Sequence, residues 1–226
     1  MPSKLIVAPI AEPLTPQHIM QYLRIDDTGD ESGFIVDMIP AARQYVEEFC
    51  GRALMTQTWN FYFQDFIPRD RRFMTGLNYP GSNVPIPYGG SSRWAQQWPL
   101  NSYLELNMPP TQSVAPVTYV DVDGVIQTLD PSIYLVDPVS EPARIYLAPG
   151  KIWPPYTSQR NAICVTCVCG YASAALVPAP IKLAIKMVIA NFYENREPVS
   201  LVPGSQPYEM PLNIAAILAP YITDRF

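Results

Sequence analysis

The stretch Val177–Val199, VPAPIKLAIKMVIANFYENREPV, constrains the fold more than any other part of the chain. Pro178 and Pro180 suit the first turn of a helix, where a missing N–H costs nothing. Pro198 ends the helix and pushes Glu197 out of the α region. Ile181, Ile185, Val188 and Phe192 share one face; Leu183, Met187 and Ala190 share another. Lys182, Lys186 and Tyr193 leave only a narrow polar stripe. A helix this apolar is expected to be buried on most sides. At about 1.5 Å per residue it is roughly 27 Å long, enough to cross a small domain. Its lysines interrupt it too often for a membrane span, which needs about 20 consecutive apolar residues. The rest of the chain must supply its cover.

The 226 residues suit a single domain over 1–226. Hydrophobic residues make up 48% and charged residues 15%, against a usual charged share of about 25%. A surface this poor in charge implies that part of it is covered by a partner. The 26 prolines and 11 glycines mark short strands and loops rather than general disorder. A net charge of −5 is not the footprint of a protein that grips nucleic acid through its phosphates. Met1–Ala11 lacks the apolar run of a secretion signal. Cys50, Cys164, Cys167 and Cys169 are therefore expected as free thiols.

Met1–Pro13 reads as an extended leader. Thr15 and Pro16 open a short helix to Leu23. Asp30 or Ser32 opens a second helix to Cys50, closed by Gly51, with an apolar stripe of Ile35, Ile39, Ala42, Val46 and Phe49. Pro40 lies inside it and is expected to kink it. From Thr56 to Phe63 the period changes to two, with Trp59, Phe61 and Phe63 on one face of a strand. Residues 68–99 lose all period. This proline-rich insertion is expected either as a disordered segment or as a partner surface, the latter because it holds Tyr79, Tyr88, Trp94 and Trp98, residue types that anchor interfaces.

Strands resume at Tyr103–Leu106 and Val114–Asp121. Asp123-Gly124 is expected as a two-residue hairpin turn of type I′. Val125–Leu129, Tyr134–Val136, Arg144–Leu147 and Ala162–Tyr171 follow. After the long helix, Asn213 caps a short helix over Ile214–Leu218. The segment 211–226 carries Ile214, Ile217, Leu218, Tyr221 and Phe226 beyond a proline-rich link. Too short to be stable alone, it is expected either to dock on a neighbouring subunit or another protein, or to fold back onto the long helix. The fold class is α+β: helical elements at both ends of the chain around a long core helix, with a central run of antiparallel strands.

No reaction centre emerges. His18, the lone histidine, lies in the first turn of a helix with no nucleophile beside it. Cys164-Val-Thr-Cys167 has zinc-ligand spacing, but on a strand Cys164 faces one side and Cys167 and Cys169 the other. Asp121-Val-Asp123-Gly124 resembles the start of a calcium loop, yet the glutamate that closes such a loop is missing. Gly150-Lys151 lacks the rest of a phosphate loop. No metal, cofactor or catalytic residue is assigned.

Three blocks together point to a family: LTPQHIMQYLRID at Leu14–Asp26, YVEEFCGRALMTQTW at Tyr45–Trp59, and Val177–Pro198 with its FYENREP ending. Between the last two lie VTYVDVDGVIQTLDPSIYLVD and VSEPARIYLAPGKIWP. In order and spacing the chain resembles the head–tail connector (adaptor) proteins of tailed phages, also described as phage DNA-packaging proteins. Residues 68–99 depart from the family pattern by their length. The resemblance implies a structural virion protein and not an enzyme. It implies a homo-oligomeric ring, usually twelve-fold, in the neck between capsid portal and tail. Its partners would be the portal protein and a stopper or tail-completion protein. Genomic DNA would pass through the centre with only transient, non-specific contact. Assembly would take place in the host cytoplasm, with no membrane involved. The readings that compete with it are another neck component, such as a stopper or tail-completion protein, and a soluble enzyme with an unrecognised site.

Overall fold

The computed structural model describes residues 2–25, 30–66, 103–194 and 212–223. Among them the fold is α+β, with four α-helices and nine strands, every strand pair antiparallel. The helices are α1 (Pro16–Leu23), α2 (Asp30–Cys50), α3 (Ala179–Glu194) and α4 (Leu212–Leu218). The strands are β1 (Ser3–Val7), β2 (Gln57–Phe63), β3 (Tyr103–Leu106), β4 (Thr111–Val114), β5 (Thr118–Val120), β6 (Ile126–Thr128), β7 (Tyr134–Asp137), β8 (Ala143–Leu147) and β9 (Ile163–Cys169). A six-stranded sheet runs β1-β2-β9-β5-β6, with β4 also on β9, and a three-stranded sheet runs β3-β8-β7. Insertion residues 68–99 lie outside the described residues.

The two periodicities in the sequence build two separate cores. Helix α3 buries Ile181, Ala184, Ile185, Val188 and Ile189 against Ile35, Ile39, Ala42 and Val46 of α2, Ile19 of α1, and Ile214 and Leu218 of α4. The cover of the long helix is thus other helices rather than the strands. Leu183 on its outer face is exposed, while Lys182, Lys186, Met187 and Ala190 are half-buried, so α3 is fully buried on one broad face and partly covered elsewhere. In the second core, Phe61 and Phe63 of β2 and Ile163, Val165, Cys167 and Cys169 of β9 meet Leu104 and Leu106 of β3 and Ala143 and Ile145 of β8. β9 alternates buried and half-buried along its length, as a strand packed on one face must. Phe66, just past β2, stacks on Trp153 with ring centroids 4.4 Å apart and meets Tyr156 edge-on at 5.1 Å.

Local signals explain most boundaries. Thr15 caps α1: its side chain accepts from the His18 N–H at 3.4 Å, while the His18 ring lies 2.9 Å from the Thr15 hydroxyl. Gly51 takes φ +68 after α2, and its N–H returns to the Glu47 carbonyl at 2.9 Å. Pro40 lies on the exposed side of α2, away from its buried stripe.

Three expectations are corrected. The leader is not merely extended: residues 3–7 form a strand on β2, so a strand precedes the first helix. The run Val114–Asp121 breaks at Ala115-Pro116-Val117 into β4 and β5, because Pro116 lacks a ladder donor. The Asp123-Gly124 hairpin exists, but only Gly124 has positive φ, +81. The Gly124 N–H bonds the Asp121 carbonyl at 3.2 Å, a type I turn followed by a left-handed glycine and not type I′.

The two cores meet at a close approach of backbone. Gly170, at φ +98 after β9, lies so near the Met55 carbonyl that a Cβ there would come within 2.1 Å of its oxygen. Only glycine fits. Glu47 of α2 reaches across the same junction and accepts from the Leu54 N–H at 2.7 Å and the Gln57 amide at 2.8 Å.

Candidate functional site

No metal-binding group of three or more His, Cys, Asp or Glu side chains occurs among the described residues, and no helix among them is long and apolar enough to cross a membrane. What the fold offers instead is surface, together with the buried polar groups that decide which terminal segments are held.

The C-terminal segment is held. Ile214 and Leu218 are buried in the helical core, and Ile217 and Tyr221 pack half-buried against it. This corrects the assignment of Ile214 and Leu218 as candidate partner contacts and takes the other expected course, a return onto the long helix. The segment docks on its own α3, because its aliphatic residues at i and i+4 match the uncovered stripe of that helix. Arg52 secures it. Its Nε donates to the Tyr221 carbonyl at 2.9 Å, and its Nη2 pairs with Glu141 at 2.6 Å. Its Nη1 lies 3.3 Å from the Tyr171 hydroxyl. The Thr223 N–H then bonds the Cys50 carbonyl at 2.8 Å. Burial pulls the Arg52 guanidinium downward, yet Glu141 and Tyr171 outweigh it and hold the group above its ordinary range. Asn213 lies in the first turn of α4, with its side chain accepting from the next N–H at 2.9 Å.

The N-terminal segment is held differently. Arg43 donates to Glu12 at 2.8 Å and to Glu47 at 2.5 Å, pinning the end of the leader to α2. Burial pushes the Glu47 carboxyl up, against the lowering effect of Arg43 and the hydrogen bonds it accepts. β1 itself is attached to β2 along one edge, and all five of its residues are exposed. Leu5, Ile6 and Val7 present consecutive apolar side chains to solvent, and Ile10 is 98% exposed. At the opposite end of the sheet, Val122, Val125 and Ile126 of the β5–β6 hairpin are exposed as well. Beside them the Asp121 carboxylate accepts from Gln127 at 3.0 Å and from the Val125 and Asp123 N–H groups at 2.9 Å each. The Gln127 bond, then the Val125 bond, hold its pKa below the usual range.

The sequence did not single out these two edges. A signal was present: Leu-Ile-Val between Lys4 and Pro9 is a β-favouring run. Of the aromatics expected to face a partner, Tyr79, Tyr88, Trp94, Trp98 and the terminal Phe226 lie outside the described residues. His18 is engaged in the cap of α1. Cys164 faces away from Cys167 and Cys169, whose sulfurs lie 2.8 Å apart inside the β core. Their shared hydrogen bond lowers the Cys167 thiol, while the same bond and burial raise Cys169.

No family model and no curated protein matches the chain. Solved structures do. A chain in the neck of an empty GTA particle computed with C6 symmetry superposes with TM-score 0.67 at 17% identity, over 100% of this chain and 97% of that one. A chain in the virion of a native gene transfer agent (GTA) particle gives 0.66 at 16% identity, with the same coverage. A chain in the neck of a native GTA particle computed with C12 symmetry gives 0.63 at 15% identity, again over 100% and 97%. At such identities the likeness is one of fold, and it extends end to end.

Proposed function

We propose that this protein is a structural component of the neck of a tailed-phage-like particle, where copies of it form a ring adaptor between portal and tail and DNA passes through the centre. One observation carries the reading: the fold matches, along its whole length, a chain of particle necks computed with six-fold and twelve-fold symmetry. The exposed apolar edges of the sheet agree with it, because a closed ring needs two different patches on each subunit that fit each other. The chain acts by assembly rather than by catalysis. Its partners are further copies of itself, the portal protein, and a stopper or tail-completion protein. The insertion 68–99, with Tyr79, Tyr88, Trp94 and Trp98, contributes to those contacts, as does Phe226.

The net charge of −5 suits a channel wall along which DNA slides, since few cations are present to neutralise phosphates. Electron microscopy of the purified chain, and of particles assembled in cells that make it, tests the reading. A ring, seen free or at the neck, is the expected result. Particles whose completed necks lack the chain would overturn it. Tight binding of duplex DNA at physiological salt would contradict the sliding wall.

A further inference from the structure

The path β1-β2-β9-β5-β6 through the six-stranded sheet ends at β1 and β6, with β4 off it on β9, and among the described residues neither end is paired on its outer side. Natural sheets blunt such edges with charge, proline or a covering element. Here both carry exposed apolar residues: Leu5, Ile6 and Val7 on β1, and Ile126 on β6 with Val125 just before it, Ile126 being 73% exposed. Their charges are opposite. Residues 2–11 carry one cation, Lys4, and no acid; residues 118–129 carry Asp121 and Asp123 and no base. β1 against β1 would set Lys4 against Lys4. β6 against β6 would offer no cation to Asp121 and Asp123 of either copy. β1 against β6 puts the end that carries Lys4 beside the end that carries Asp121 and Asp123 and covers the apolar side chains of both, and unlike charges across strands attract where like charges repel.

We propose that β1 of one copy adds to β6 of the next, so that the six-stranded sheet continues from subunit to subunit. This rests on the ring reading above and names the surface that closes it. The contact is heterologous, as a ring requires, and uses backbone hydrogen bonds for attachment and side chains for choice of partner. β6 has three residues, so the shared ladder is about 10 Å long at 3.4 Å per residue. A contact this short is sensitive to single substitutions.

The test is made on the full chain in assembled rings, formed by the purified protein or isolated with particle necks. Leu5→Cys combined with Ile126→Cys, under mild oxidation, should give a ladder of covalent multimers, while the unsubstituted chain with its native thiols gives none. Lys4→Glu should raise the concentration at half-assembly at least ten-fold, and adding Asp123→Lys should restore it. Rings that form normally with Lys4→Glu and yield no ladder would overturn the edge pairing and leave the ring reading intact. Leu5→Cys alone giving only dimers would overturn it in favour of β1 meeting β1. Absence of any ring in both preparations would remove the ring reading itself, and the edge pairing with it.

Discussion

The two ends of this chain carry segments of similar apolarity, and the fold treats them oppositely. The C-terminal helix α4 sinks Ile214 and Leu218 into the helical core. The N-terminal strand β1 leaves Leu5, Ile6 and Val7 in solvent. Each end is tied down by one arginine, Arg52 for the tail and Arg43 for the leader. The ties differ in what they hold. Arg52 grips the backbone right after the helix and so keeps its apolar face on α3. Arg43 grips Glu12, five residues beyond β1, and leaves the strand on its single ladder with β2. Apolarity marks a segment that must be covered; the surface available within the chain decides whether the cover comes from the same molecule.

Deleting 212–226 breaks this comparison most severely. Each buried aliphatic side chain is worth about 1.5–3 kcal/mol, and the deletion also exposes the stripe of α3 beneath. The sum is a large share of the roughly 5–15 kcal/mol by which domains are stable. The truncated chain is expected to melt far lower or to aggregate, as read by thermal denaturation. Leu218→Ala alone should cost about 2–5 kcal/mol. A truncated chain with unchanged melting would mean that the tail is a docking arm after all.

Arg52→Ala comes next. It removes the tie on Tyr221 and leaves Glu141 without its cation. Hydrogen bonds to charged groups contribute about 1.5–3 kcal/mol, and the exposure of Glu141 puts the expected loss at the low end. Hydrogen exchange sharpens the reading: protection should fall first in α4, while β2 and β9 keep theirs.

Much of this fold was legible because it is periodic. Ile35, Ile39, Ala42 and Val46 recur at helical spacing, and Phe61 and Phe63 at strand spacing, and each is buried as its period requires. Thr15, Gly51 and the hairpin glycine gave element ends through chemistry that acts within a few residues. What was not legible depends on surfaces distant in sequence. No local pattern tells that the cover of α3 comes mainly from other helices, or that Arg52 meets Tyr221, 169 residues away. The surface was misjudged for the same reason: Ile214 and Leu218 have the composition of an interface and the location of a core.

On the leader side, Glu47 offers a smaller and pH-dependent probe. Burial raises its folded-state pKa above the ordinary 4.5. A carboxyl raised on folding favours the folded state when protonated, so its contribution is fullest below that ordinary value and is lost as pH rises through the folded-state pKa. Acidification from neutral pH toward 4.5 should therefore add stability at this site. Glu47→Gln keeps an acceptor for Leu54 and Gln57 and should abolish that increment. Melting of both proteins across this pH interval checks it; an increment of equal size in both would place the titration elsewhere.

The smallest expected effect on stability is also the one that separates the two ends most cleanly. Ile6 sits at an irregularity in the β1–β2 register, between Leu5 and Val7, with its side chain in solvent. A cation there meets no apolar neighbour that the fold depends on, and surface substitutions usually stay within about 0.5 kcal/mol. Ile6→Lys should therefore leave the melting of the dilute chain nearly unchanged while it weakens ring formation. This is the reverse of Leu218→Ala, which lowers melting wherever the chain stands. If Ile6→Lys costs as much as Leu218→Ala in dilute solution, β1 is covered by its own chain. The contrast between the two ends would then disappear, and with it the reason to expect a neighbouring subunit at that edge.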